Sequence, residues 1–218
     1  MNPPGRRLGW PVLVGLGLAA ASLLLAFLLA QLKLRANQGQ PMPVLGQVAD
    51  FALTNQLGQE VTLATLRGHP WVADVIFTRC AGPCLKMSRQ MMELQQALPA
   101  SSQARLVTLT TDPEYDTPQI LKIYSQRFQA DTNRWMFLTG PKPAVQAVIR
   151  DSLKLTAVEK GPQDRDTPVD LFIHSTIFVL VDKKGQVRGV YETTGEGVDP
   201  SQVHQQLLVG LRRLERER

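Results

Sequence analysis

Cysteine and histidine are scarce in this chain. Among 218 residues there are two cysteines, Cys80 and Cys84, and three histidines. Two of the histidines are expected at the surface, because His69 precedes a proline in a predicted turn and His204 falls on a predicted helix. A structural zinc site usually takes about four ligands, most often Cys and His. The composition therefore argues against a structural zinc domain.

Acidic residues are missing from the N-terminal region, where no Asp or Glu precedes Asp50. Four of the 24 basic residues flank an apolar segment there: Arg6, Arg7, Lys33 and Arg35. Residues 36–218 consequently hold 20 basic and 19 acidic residues, a net charge of +1. A protein that binds a phosphate backbone carries a basic patch. The overall charge of +5 therefore does not indicate a nucleic acid partner.

The apolar segment, residues 10–32, contains no charged side chain. At about 1.5 Å per residue, a helix of this length spans roughly 30 Å, the thickness of a bilayer core. A cleaved signal peptide is the alternative, but its apolar core is usually about 7–15 residues long. We therefore predict a short tail at 1–9, an uncleaved transmembrane anchor at 10–32, a linker at 33–46 and a domain at 47–218.

The basic residues around the anchor do not settle its orientation, because two of them lie on each side of it. A short tail inside and a domain outside is the default for an N-terminal anchor. The sequence also lacks the long Arg- and Ser-rich amphipathic presequence that is typical of mitochondrial import. The expected location is the bacterial inner membrane, with a single span and the domain facing the periplasm.

Strand and helix patterns alternate after the linker. Buried strands are predicted at 71–78, 105–110 and 171–181, a short strand at 135–138, and a hairpin from 47–54 and 60–63. Helices are predicted from Pro83, Pro118, Lys142 and Asp199, and a polar loop at 159–168. This order predicts a mixed α/β fold, in which helices flank a central sheet.

The two cysteines lie between the first buried strand and the helix that follows it. Cys80 is expected in the loop, and Cys84 in the first helical turn, because Pro83 suits the first helical position. Unpaired N–H groups and the positive end of the helix dipole lower the pKa of a nearby thiol. We therefore expect lowered pKa values for both thiols.

His174 is the third residue of interest, since it interrupts an apolar strand. It could be a core histidine that is bonded to a backbone carbonyl. Two thiolates and one imidazole, however, form a soft ligand set that suits Cu(I). The spacing of the cysteines agrees with metal binding, because most thiol oxidoreductases place their pair three residues apart rather than four.

The chain resembles the Sco/SenC family of copper metallochaperones over about residues 47–215. Four motifs in order carry the resemblance: Phe77-Thr78-x-Cys80-x-x-x-Cys84, Thr111-Asp112-Pro113-Glu114-x-Asp116-Thr117-Pro118, Leu138-Thr139-Gly140, and His174-Ser175 ahead of a turn at Asp182–Gly185. The resemblance implies a thioredoxin-like fold and a copper site formed by Cys80, Cys84 and His174. It implies binding of Cu(I), and leaves Cu(II) open.

The same resemblance implies a function in copper delivery. Some members of the family help to load the copper centre of cytochrome c oxidase subunit II, so this subunit or another cuproprotein is the expected acceptor. Other copper chaperones or thiol reductants are expected partners as well. Three positions depart from the family pattern, and they affect the surface that meets the partner: Ala81 and Leu85 replace prolines, and Ile173 replaces an Asp, although Asp170 is nearby.

A second function remains open, namely thiol–disulfide exchange by Cys80 and Cys84 that keeps the acceptor's cysteines reduced. Asp74 favours it, since a buried carboxylate six residues before the first cysteine could exchange protons with a thiol. The alternative for Asp74 is a place at an edge, or a bond to a backbone N–H or to Arg79. Met87 and Met91 share the face of Cys84, where core filling is the expected role.

Overall fold

A computed structural model describes residues 9–39, 41–80, 82–165, 171–195 and 197–217. Within these ranges, the side chains of residues 13, 33–39, 162, 173 and 174 lie outside the description. The predicted tail falls almost wholly outside the described residues, as do Ala81 and Asp170. Two compact units form the chain, Met1–Pro41 and Met42–Arg218.

In its described residues the first unit contains one helix, α1 (Trp10–Gly39). Its segment Trp10–Leu32 is long and apolar enough to cross a membrane, and it is the one such helix in the described part of the chain. The helix continues to Gly39, so the first part of the predicted linker is helical. Good helix formers at 33–36 extend it, and Pro41 cannot continue it.

The second unit contains ten strands in its described residues, eight of them in one sheet. Their bounds are β1 (Gly46–Gln47), β2 (Ala52–Asn55), β3 (Glu60–Thr62), β4 (Trp71–Ile76), β5 (Arg105–Thr110), β6 (Trp135–Thr139), β7 (Ala157–Glu159), β8 (Phe172–His174), β9 (Ile177–Val181) and β10 (Gln186–Glu192). The sheet order is β1-β10-β9-β4-β5-β6-β2-β3. Strands β4, β5 and β6 are parallel, whereas β9 runs antiparallel to β4. The central strand β4 is buried on both faces, as its continuous apolar pattern predicts.

Helices cover both faces of this sheet. They are α2 (Leu63–Leu66), α3 (Pro83–Ala97), α4 (Pro118–Arg127), α5 (Lys142–Gln146), which continues as a π-helix over Ala147–Ser152, and α6 (Pro200–Arg216). One core forms where α3, α4 and α6 pack on the sheet, and a second where α2 and α5 pack on its other face. Thr117 and Asp199 cap α4 and α6 through their side chains. The predicted mixed α/β fold is confirmed.

The predicted strand at 171–181 is wrong, because it is two strands in different sheets. β8 pairs with β7 in a separate hairpin, and only β9 joins the main sheet. Ser175, which directly follows β8, bonds to Thr156: its N–H donates to the Thr156 carbonyl, and its hydroxyl accepts from the Thr156 N–H. The predicted polar loop also begins in β7 and contains a short 3-10 turn at Pro162–Asp164.

Candidate functional site

The two cysteines lie at the carboxyl end of β4. A turn follows the strand, in which the Cys80 N–H donates to the Phe77 carbonyl at 3.1 Å. Helix α3 then begins at Pro83 and places Cys84 in its first turn. Cys80 is 8% exposed, and Cys84 is completely buried. One loop and one helix start therefore bring both sulfur atoms together, as the spacing predicts.

The two thiols are hydrogen-bonded to each other. Burial raises the pKa of the Cys84 thiol far above its ordinary value, and the hydrogen bond and charge of Cys80 raise that pKa further. A hydrogen bond with the backbone of Phe77 acts in the opposite direction. The expected lowering of the pKa of Cys84 is therefore wrong, because loss of solvation outweighs the helix N-terminus.

Asp74 lies on β4 and is completely buried; it alternates with Val72 and Ile76, which pack in one core with α3. Its Oδ1 accepts a hydrogen bond from the Thr108 hydroxyl at 2.6 Å, and that hydroxyl accepts one from the Trp135 indole at 2.8 Å. The charge of Asp74 also raises the pKa of Cys84. This carboxylate is thus part of the buried surroundings of the cysteine pair, and proton exchange by Asp74 stays a prediction.

A second carboxylate holds the loop that contains Cys80. Asp116 is completely buried and accepts three hydrogen bonds, from the Thr78 N–H, the Thr78 hydroxyl and the Thr110 hydroxyl. Burial raises the pKa of Asp116, while the hydrogen bonds from the two threonines oppose that rise. The sequence pattern alone predicts no role for Asp116. Its place in an ordered motif was the signal that could have revealed one.

Arg79, the residue just before Cys80, connects the loop after β4 to the loop after β5, which contains Asp116. Its guanidinium donates to the carboxylate of Asp112 and lies over the ring of Tyr115, 4.1 Å from the ring centre. The Thr111 N–H donates to the Ile76 carbonyl at 2.8 Å. The segment that follows β5 is therefore bonded to the segment that follows β4 through backbone, charge and stacking.

His174 is the last residue of β8, where it pairs with Ala157. Its side chain lies outside the described part of the structure. The strand nevertheless lies beside the cysteine loop, because the ring of Phe172 contacts that of Phe77 edge-on at 5.1 Å between centroids. Among the side chains that are described, no group of three or more Cys, His, Asp or Glu residues is placed to hold a metal ion.

The remaining candidates lie apart from this site or fill space in it. The ring of His69 is bonded to the Gln103 carbonyl at 2.9 Å, and His204 lies on α6. Met87 and Met91 are completely buried in the core under α3. The methionines therefore serve as core residues, as expected.

Most of the chain matches one known protein family. The family model described as SCO1/SenC matches residues 43–208, which is more than half of the sequence. The chain belongs to the SCO1/SenC family. The predicted resemblance is thereby confirmed, and the thiol pair, the Asp116 loop and the strand of His174 all lie within the matched range.

Individual Sco proteins agree in sequence and fold. The SCO1 protein homolog of Bacillus subtilis is 34% identical over 147 residues, which cover 66% of this chain and 73% of that one. BsSco, described as a member of the Sco family of cytochrome c oxidase assembly proteins with a disulfide switch, is 30% identical, with a TM-score of 0.63 and coverage of 78% of this chain and 97% of that one. Bradyrhizobium japonicum ScoI, solved with copper bound, is 23% identical, with a TM-score of 0.61 and coverage of 74% and 98%; it supports the fold. The thioredoxin-like fold is confirmed.

Proposed function

We propose that this Sco protein is a membrane-anchored copper chaperone that binds copper through Cys80, Cys84 and His174. It assists metallation of the copper centre of cytochrome c oxidase subunit II or of a related cuproprotein. The observation that carries this function is the pair of buried thiols, hydrogen-bonded to each other at the start of α3. Copper is the cargo of the protein. Among its relatives, ScoI was solved with copper bound, and BsSco belongs to the cytochrome c oxidase assembly proteins.

The chemistry of the thiol pair supports a soft metal. Thiolates select Cu(I) over hard cations, and burial of the pair limits access of water to the ion. Because burial raises the pKa of Cys84, copper displaces a proton from that thiol when it binds. An acceptor can then take the ion by exchanging one ligand at a time, and each departing thiolate regains a proton.

His174 supplies the third ligand in this proposal. Its strand, β8, adjoins the cysteine loop through the contact between Phe172 and Phe77. Because β8 belongs to a separate hairpin, the histidine is not fixed within the main sheet. A ligand on such a hairpin can leave the ion first, before either thiolate, which suits a protein that must release its cargo.

In this proposal the N-terminal helix anchors the protein in the bacterial inner membrane, and the domain lies in the periplasm. Trp10–Leu32 has the length and composition for one span. A tether keeps the domain near a membrane-bound acceptor and raises its effective concentration there. Protease treatment of spheroplasts tests this placement, since the proposed orientation exposes the domain and an inward orientation protects it.

A titration with Cu(I) tests the proposed function. The reduced full-length protein in detergent is expected to bind one Cu(I) in competition with a chromogenic chelator. The same protein with a Cys80–Cys84 disulfide is expected to bind none, because the disulfide removes both thiolates. Equal binding by the two forms would contradict a site at this pair.

Thiol–disulfide exchange is the second candidate, and the position of Asp74 favours it. In that reaction the dithiol Cys80–Cys84 gives two electrons and two protons to a disulfide of the acceptor, which leaves as a dithiol while the pair becomes a disulfide. A buried carboxylate near Cys84 could accept one of the protons. The two functions differ in their need for His174, since exchange requires only the thiols.

A further inference from the structure

Asp116 is not one of the proposed copper ligands, so copper binding does not by itself explain its hydrogen bonds. Thr78 donates to this carboxylate through both its N–H and its hydroxyl, and Cys80 follows Thr78 by two positions. The Thr110 hydroxyl adds a third hydrogen bond from β5. A completely buried carboxylate thus joins the end of β5 to the turn that carries Cys80.

We propose that Asp116 is a positioning residue for Cys80, which holds its thiol next to that of Cys84 whether or not a metal is bound. Cys84 is already fixed by α3, whereas Cys80 lies in a turn outside any strand or helix. The turn itself has the bond from the Cys80 N–H to the Phe77 carbonyl, and Asp116 and the Arg79–Asp112 pair add restraint from outside the turn. This inference deepens the proposed function, because it concerns the same site, although the thiol geometry does not depend on copper.

The consequence of such positioning is a high effective concentration of one thiol near the other. Formation of a Cys80–Cys84 disulfide and chelation of Cu(I) both require the two sulfur atoms to meet. A turn that is held in place avoids the entropy cost of bringing them together. Release of the turn should therefore weaken disulfide formation and copper binding together, without change in either cysteine.

Asp182 provides a matched control at the other end of the sheet. This carboxylate is also buried, and it accepts hydrogen bonds from the N–H groups of Lys184 and Gln186 and from the Arg188 guanidinium. It follows β9, whose Val181 pairs with Trp71 at the amino end of β4, whereas the cysteines lie beyond the carboxyl end. Asp182→Asn therefore tests the loss of a buried turn-forming carboxylate far from the thiols.

The test is the equilibrium of the full-length protein with glutathione in detergent, free of metal. Oxidised glutathione takes two electrons from the pair, so that one protein disulfide and two reduced glutathione molecules form. We expect Asp116→Asn to lower the equilibrium constant for the protein disulfide roughly tenfold, the effect typical of lost hydrogen bonds to a buried charge. Asp182→Asn is expected to leave it within about twofold, although both variants lose thermal stability.

If Asp116→Asn does not fold, substitutions of Thr78 test the same hydrogen bonds from the other partner. Thr78→Val removes the hydroxyl but keeps the backbone N–H, and it should lower the same equilibrium constant severalfold. Thr78→Ser retains both donors, and it should restore the wild-type value. An unchanged constant in Asp116→Asn or Thr78→Val, or an equal loss in Asp182→Asn, would overturn the positioning role.

The copper titration separates this inference from the proposed function. If the wild-type protein binds no Cu(I) but Asp116→Asn still weakens the disulfide, the chaperone function is wrong and the positioning role stands. If the wild-type protein binds Cu(I) and Asp116→Asn changes neither equilibrium, the positioning role is wrong and the chaperone function stands.

Discussion

Replacement of Cys84 by serine should lower the affinity of the reduced protein for Cu(I) by roughly a hundredfold to a thousandfold. Structural zinc sites gain about 10–16 kcal/mol from roughly four ligands, so one ligand contributes about 2.5–4 kcal/mol. A serine hydroxyl is a hard donor and does not replace a thiolate for Cu(I). The measurement is a competition titration with a Cu(I) chelator of known affinity.

Met87→Leu is the matched control for this substitution. Met87 is equally buried under α3 and lies on the same face as Cys84, but we assign it to the core. A swap that conserves volume should change the stability by less than about 1.5 kcal/mol and leave the copper affinity unchanged. If Met87→Leu weakened Cu(I) binding as strongly as Cys84→Ser, the ligand assignment would be wrong.

The affinity for Cu(I) should rise steeply with pH across the neutral range. Burial raises the pKa of Cys84 far above neutrality, so this thiol is protonated in the metal-free protein between about pH 6 and pH 8. Copper must displace that proton, and each displaced proton makes the affinity rise about tenfold per pH unit. Cys84 alone therefore predicts a gain of roughly a hundredfold from pH 6 to pH 8.

Competition titrations at several pH values check this dependence. The Cys84→Ser variant should show a slope that is smaller by one proton, because the serine releases none on binding. A wild-type affinity that is flat with pH would show that the thiol is already ionised without metal. That result would contradict the effect of burial on the pKa of Cys84.

Much of the fold follows from local patterns in the sequence. The apolar residues from Trp71 onward predict the central strand, since a strand that is covered on both faces, like β4, has a nearly continuous apolar sequence. Pro83 marks the start of α3. The division of 171–181 could not be predicted in the same way. Both strands are apolar, and the break at Ser175 depends on bonds to Thr156, which is distant in sequence.

For the site, too, the sequence predicts the local features but not those that depend on distant residues. The spacing of Cys80 and Cys84 predicts that they meet, since a turn and a helix start are local structures. The raised pKa of Cys84 could not be predicted, because it depends on how completely α3 and the sheet exclude water. The role of Asp116 depends on Thr78 and Thr110, which three-dimensional pairing of β4 and β5 brings together.

The most direct test of the copper site is the Cu(I) affinity of His174→Ala beside that of the wild-type protein, both reduced and full-length. The three-ligand site predicts that the affinity falls about a hundredfold or more, while the rate of thiol–disulfide exchange stays near the wild-type value. Copper binding that is indifferent to His174 would contradict the chaperone function as proposed. The thiol pair would then be assigned to disulfide exchange, with Asp74 as the next residue to replace.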